Sequence, residues 1–194
     1  MTAVRDLSLR KTCYRAAMRL LVLGAFILGA AAAANAADVD EAARGIVEKI
    51  DELSVQLFLH DAEMAYAEGS YGEARARFDW LAERGSPEAR LVLGIMYEEG
   101  QGVLHDYQKA FQWYQQAAEQ GLAEAQVRLA RMYYLGRHVR PDNFLAYVWV
   151  SVAASQGDEI ALRNRNEIAR LMNTHQIQSA LALADQWIAK YNKP

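Results

Sequence analysis

From about residue 40 onward, apolar residues return at intervals of three and four, and short glycine-containing stretches interrupt them. Leu93 and Tyr97 stand four apart; Ala110, Trp113, Tyr114, Ala117 and Ala118 follow at three- and four-residue spacings. That spacing stacks apolar side chains along one side of a helix. The alternation expected of strands is hard to find, and only 3 of 194 residues are proline, so the chain reads as all-α. A helix over about Ala89 to Glu99 should stop at Gly100, because glycine accepts the left-handed conformation that closes a helix. The connector "GQGVLHD" follows, with Val103 placed to fill apolar space and Asp106 to cap the next helix through its carboxylate. That second helix should run from about Tyr107 to Gln120, with Gly121 ending it.

A shift of 36 residues brings the same residue types back into register. Gly85, Gly121 and Gly157 align, as do Ala82, Ala118 and Ala154, then Ala74, Ala110 and Ala146, and Ala89, Ala125 and Ala161. Pairs fill in the rest: Leu93/Leu129, Tyr97/Tyr133, Gly100/Gly136, Val103/Val139, Asp106/Asp142 and Trp113/Trp149. A gapless period of this length marks a stack of two-helix units. Tyr97, Trp113, Tyr114, Tyr133 and Trp149 then read as packing residues between helix layers.

The pattern resembles the Sel-one-like repeat (SLR) family of the tetratricopeptide repeat superfamily. One full unit carries the family's signature at Ala89, Leu93, Gly94, Tyr97, Gly100, Gly102, Val103, Asp106, Lys109, Ala110, Trp113, Tyr114, Ala117, Ala118, Gly121 and Ala125. The next unit keeps Leu129, Tyr133, Gly136, Val139, Asp142, Ala146, Trp149, Ala153, Ala154 and Gly157, and departs at Ala130, His138 and Leu145. Its loop should still close. Upstream, Gly69, Tyr71, Ala74, Phe78 and Ala82 look like the shorter turn and second helix of an ordinary tetratricopeptide unit, with a first helix from about Leu53 to Glu68. Downstream, a helix from Asp158 to Met172 takes the first-helix slot of a fourth unit, with Arg165 and Ala169 where Leu and Tyr would stand. A last helix, about His175 to Tyr191, offers Ile177, Leu181, Ala184 and Ile188 as a stripe to lie over the final repeat. The resemblance implies an all-α, right-handed α-solenoid of stacked helix-turn-helix repeats over residues 53–172. A helical lead-in over 38–52 and a C-terminal capping helix over 173–194 flank it.

Residues 1–37 stand apart. Arg5, Arg10, Lys11, Arg15 and Arg19 precede the run "LLVLGAFILGAAAAA" and then Ala34-Asn35-Ala36. Basic region, apolar stretch and A-x-A site in that order form a secretory signal peptide. Its apolar core of about 15 residues falls short of the roughly 20 that span a bilayer. Cleavage after Ala36 and a periplasmic or secreted protein are expected, without stable membrane insertion; a retained anchor is the alternative. The one cysteine, Cys13, lies in this leader, so the mature chain would hold neither disulfide nor thiolate metal site. The leader has five bases and one acid, so removing that net +4 takes the chain from −3 to about −7. Such a balance argues against nucleic acid as a partner.

Catalytic patterns are sparse. His60, His105, His138 and His175 include no i, i+4 pair, so a helical zinc site is not expected, and no cofactor is implied. The S-x-x-K tetrad, Ser8 to Lys11, lies in the leader. Glu98/Glu99 and Asp158/Glu159 are sequence neighbours and point to different sides of a helix. With no catalytic pattern outside the leader, the resemblance implies a non-enzymatic scaffold that holds a protein or peptide, and on the resemblance alone it is expected to act in cell-envelope complex assembly or regulation. An envelope hydrolase acting on peptidoglycan or β-lactams is the alternative, and a structural accessory that dimerises through a repeat end is a third. The resemblance places the binding residues on the concave face lined by first helices: Glu63, Tyr66, Leu91, Ile95, Glu98, Val127, Arg131 and Tyr134.

Overall fold

A computed structural model of the chain describes residues 36–191, so the leader lies outside the described residues except for Ala36 and Ala37. Eight helices are described: α1 (Ala36–Ala67), α2 (Tyr71–Glu83), α3 (Pro87–Glu99), α4 (Tyr107–Ala118), α5 (Ala123–Leu135), α6 (Asn143–Ser155), α7 (Glu159–Ala169) and α8 (Thr174–Tyr191). Among the described residues there is no strand. The chain divides into two units between Leu57 and Phe58. The first contains most of α1, a single helix that runs through both the expected lead-in and the first helix of the first unit, with Ile46, Val47 and Leu53 exposed.

In the second unit each helix packs on the next, α2 on α3 and so on to α7, and α8 returns to lie on α6. The 36-residue period is written into its hydrogen bonds. Asp106 N–H donates to the Tyr97 carbonyl and Asp142 N–H to the Tyr133 carbonyl, both at 2.9 Å. Asp106 caps α4 by accepting from the backbone of Gln108 and Lys109, and Asp142 caps α6 by accepting from Leu145. Ser86 and Asp158 cap α3 and α7 in the same manner. Leu122 holds the equivalent position before α5 and has no side-chain oxygen to offer. His138, at the place of Gly102, closes its loop in the same left-handed conformation, φ 68° for both. A histidine tolerates that region better than a β-branched residue would.

Two features repeat that spacing alone did not reveal. The Arg90 guanidinium donates to the Ala82 carbonyl at 3.1 and 3.3 Å, and 36 residues on, the Gln126 amide donates to the Ala118 carbonyl at 3.2 Å. Each adds a side-chain donor to a carbonyl in the last turn of the preceding helix, which also accepts a backbone N–H from Gly85 or Gly121. The next position in the series is Leu162, which cannot donate.

The second feature concerns Gly94 inside α3. A Cβ there would stand 2.5 and 2.6 Å from ring carbons of Tyr114, so the aromatic ring lies directly against the glycine backbone. One period later the corresponding residues are Ala130 and Val150, both buried: a larger residue on one side and a smaller one on the other. Alanine normally stabilises a helix over glycine by about 0.5–1 kcal/mol. Gly94→Ala should instead destabilise, by roughly 1–3 kcal/mol, because the added methyl overpacks the Tyr114 ring. Gly45→Ala, where a Cβ meets nothing within 4 Å, should follow the ordinary rule. Urea melts of the two variants give the comparison directly.

The core places Tyr114, Leu93, Met96, Leu129 and Met132 fully inside, with Trp149 5% exposed. Trp113, expected to be equivalent to Trp149, is only half-buried. On α8 the expected stripe is partly right. Ala184 is buried and Ile177 and Ile188 pack on the core, whereas Leu181 is 36% exposed. Ala180, Trp187 and Tyr191 complete the contact instead. Trp187 meets Trp149 with ring centroids 4.9 Å apart, and the Tyr191 hydroxyl donates to the Ala118 carbonyl at 2.9 Å. Burial pushes the Tyr191 hydroxyl up to about 12.

Candidate partner-binding face

The eight residues expected to line a binding face separate into distinct groups. Glu63 and Tyr134 are exposed, Tyr134 at 41%. Tyr66 is half-buried, edge-on to Tyr71 and Phe78, and its hydroxyl donates to the Gln101 side-chain oxygen. Ile95 packs half-buried on the main core. Val127 packs against Ala153, Ala154 and Ala161, filling space between α5 and the helices that follow. Leu91 and Glu98 are each 7% exposed, which corrects their reading as open contact positions. Leu91 belongs to the core because it faces the neighbouring helix layer. Glu98 is covered for a different reason.

Glu98, in the last turn of α3, is the centre of a polar cluster. It accepts from the Tyr114 hydroxyl at 2.7 Å and from one terminal nitrogen of Arg131 at 2.7 and 2.9 Å. Arg137 donates to the same carboxylate oxygen as Arg131. Arg128 stands 3.8 Å away and makes its shorter pair, 3.0 Å, with Glu124. The buried carboxylate thus ties together α3, α4, α5 and the loop after α5. Burial by itself raises the Glu98 pKa, but the Tyr114 hydroxyl, Arg131 and Arg137 outweigh it and hold the carboxyl below its usual range. Burial and the adjacent carboxylate together keep Tyr114 protonated well above the usual phenol range.

Two expected binding residues, Glu98 and Arg131, are therefore each other's partners. Arg128, Arg137 and Tyr114 complete the arrangement without having been expected in it. One signal in the sequence does point there: between Glu124 and Asp142 stand Arg128, Arg131, Arg137 and Arg140 with no carboxylate among them. The histidines stay apart, His105 edge-on to Tyr107 and His138 against Phe111. Among the described residues no three His, Cys, Asp or Glu side chains come together as a metal-binding group. Nor is any described helix long and apolar enough to cross a membrane.

Comparison with known proteins adds the family context. The Sel1 repeat model matches residues 87–122 and 123–158. The crystal structure of c5321, a protective antigen present in uropathogenic Escherichia coli strains and displaying an SLR fold, is similar at 31% identity and a TM-score of 0.67. The similarity covers 74% of this chain and 32% of that one, so this chain spans about a third of its length. A Sel1 repeat protein from Oxalobacter formigenes is similar at 35% identity over 50% of this chain and 28% of its own, with a TM-score of 0.49. No curated protein matches the chain. Sel1 repeats build a non-catalytic scaffold fold and usually mediate protein interactions. Residues 87–158 are thus two consecutive Sel1 repeats, carried in an all-α solenoid of the SLR fold.

Proposed function

We propose that this protein is an exported scaffold that holds a protein or peptide partner on the face lined by its first helices, in the assembly or regulation of a cell-envelope complex. The observation that carries the reading is the pair of partly exposed guanidiniums, Arg131 and Arg137, gathered on the buried Glu98 carboxylate, with the exposed ring of Tyr134 three residues along α5 from Arg131. Charged forks and aromatic rings on a rigid helical surface are what recognition of a peptide calls for, and arginine and tyrosine are enriched at such contacts. The basic leader and its A-x-A site support export.

A photo-crosslinking residue at Tyr134, introduced in the native host, should capture one specific protein. The same residue at exposed Gln178 on α8 serves as the control. Equal, diffuse labelling from both positions would count against this face. Mass spectrometry of the purified protein should find its N-terminus at Ala37; an intact leader on a protein retained in the cytoplasm would remove export from the reading.

A further inference from the structure

We infer that the segment recognised on this face is an acidic peptide, whose Asp or Glu side chains are received by Arg131 and Arg137. The inference rests on the reading of this face as a peptide-binding surface and adds the chemistry of the partner. Four arginines without an intervening acid are unusual in a chain whose net charge is −3. Their charge is not fully met within the protein. Glu98 and Glu124 supply two carboxylates to the three guanidiniums of Arg128, Arg131 and Arg137. Arg140, exposed three residues further on, makes no ion pair among the described residues. Glu99, next to Glu98, is engaged by the Gln101 amide at 2.8 Å.

Donor capacity leads to the same conclusion. A guanidinium carries five N–H donors. Arg131 and Arg137 each give Glu98 only one terminal nitrogen, and their side chains are 46% and 33% exposed. The remaining N–H groups make no hydrogen bond among the described residues. Both are also held in place, Arg131 by two contacts to one carboxylate and Arg137 by that carboxylate and by the Tyr107 ring 5.1 Å beneath it. A side chain already immobilised in the free protein loses less entropy on binding, so an incoming carboxylate meets a preformed fork. Tyr134 and Leu135, 41% and 48% exposed, provide apolar surface alongside. Acidic residues spaced among apolar ones therefore suit this face better than a continuous polyanion, which the overall negative charge repels.

The test uses the full-length protein and three fluorescent peptides of equal length. Leucines alternate with Glu in the first, with Gln in the second and with Lys in the third. Anisotropy titrations should show the Glu peptide binding at least about tenfold tighter than the Gln peptide, with affinity falling as salt rises. Arg131→Gln with Arg137→Gln should erase the preference, circular dichroism confirming an intact fold. Arg131→Lys, which keeps the charge without the fork, should retain part of it. Equal binding of all three peptides, or a preference that survives the double variant or high salt, overturns the inference. So does tighter binding of a phosphopeptide or a single-stranded oligonucleotide than of the Glu peptide. If crosslinking through Tyr134 captures a partner while the Glu peptide shows no preference, the acidic assignment fails and the peptide-binding reading stands; if neither occurs, both fail.

Discussion

Trp149→Ala is expected to lower the stability of the protein by about 3–5 kcal/mol, the range for emptying a buried tryptophan site. Its side chain sits 5% exposed in the main core and is covered by Trp187 from α8. Truncation removes the ring from the middle of α6 and also leaves α8 without its aromatic counterpart. At roughly 2–4 °C per kcal/mol for a chain of this size, the melting temperature should fall by on the order of 10 °C. Trp113→Ala, at the same place one unit earlier, should cost clearly less, because that ring is half-buried and loses less apolar contact on truncation. Thermal or urea melts of the two variants decide the matter. Equal losses would mean that the repeat position alone, without the cover of α8, sets the contribution.

Glu98→Ala should be the next most damaging change. It takes from the Tyr114 hydroxyl its acceptor in the interior and from Arg131 and Arg137 their shared counter-charge. Breaking a buried pair by removing one partner costs about 3–5 kcal/mol, but both arginines can turn toward water, so roughly 2–4 kcal/mol is expected. Glu98→Gln keeps an acceptor for Tyr114 and should lie between. The pH dependence has a definite sign. Because the folded carboxyl titrates below its usual range, its stabilising contribution is complete above the unfolded value of about 4.3 and is lost as pH falls through the lowered folded value. Wild type and Glu98→Gln should therefore differ most near neutral pH and converge in acid. A gap that stays constant down to acid pH would mean that Glu98 contributes through its shape and not its charge.

These two residues also show how far the sequence could be read. The 36-residue register paired Asp106 with Asp142 as caps and Gly100 with Gly136 as helix ends, and aligned Ala110 with Ala146 and Ala89 with Ala125; the caps and helix ends form as read, and all four alanines are buried. Such features depend on neighbours a few residues away or on the same contact recurring, so they leave a periodic trace. Trp113 and Trp149 share one trace and differ in burial, and the more buried one, Trp149, is met by Trp187 of α8. That helix lies outside the period and its landing site could not be counted from it. Leu181 illustrates the same limit: a stripe spaced by three and four has the right pitch, yet only contact with α6 selects Ala180, Ala184 and Trp187 as its inner edge.

The candidate face divides along the same line. Glu98 and Arg131 could be picked out as charges on successive first helices, but their pairing spans 33 residues, and with Arg137 it spans 39. Composition shows four arginines with no acid between them; it does not show that a carboxylate from another helix holds two of them in place. The sequence by itself determined the class of fold, the repeat unit and the local stops and caps, because these follow from short-range sterics and from a hydrophobic period. Only the tertiary structure decided which charges are inside, which aromatic residues are covered and which guanidinium groups keep donors unused by the protein. Burial and ion pairing are properties of surfaces brought together from distant parts of the chain, and no spacing along it encodes their distance.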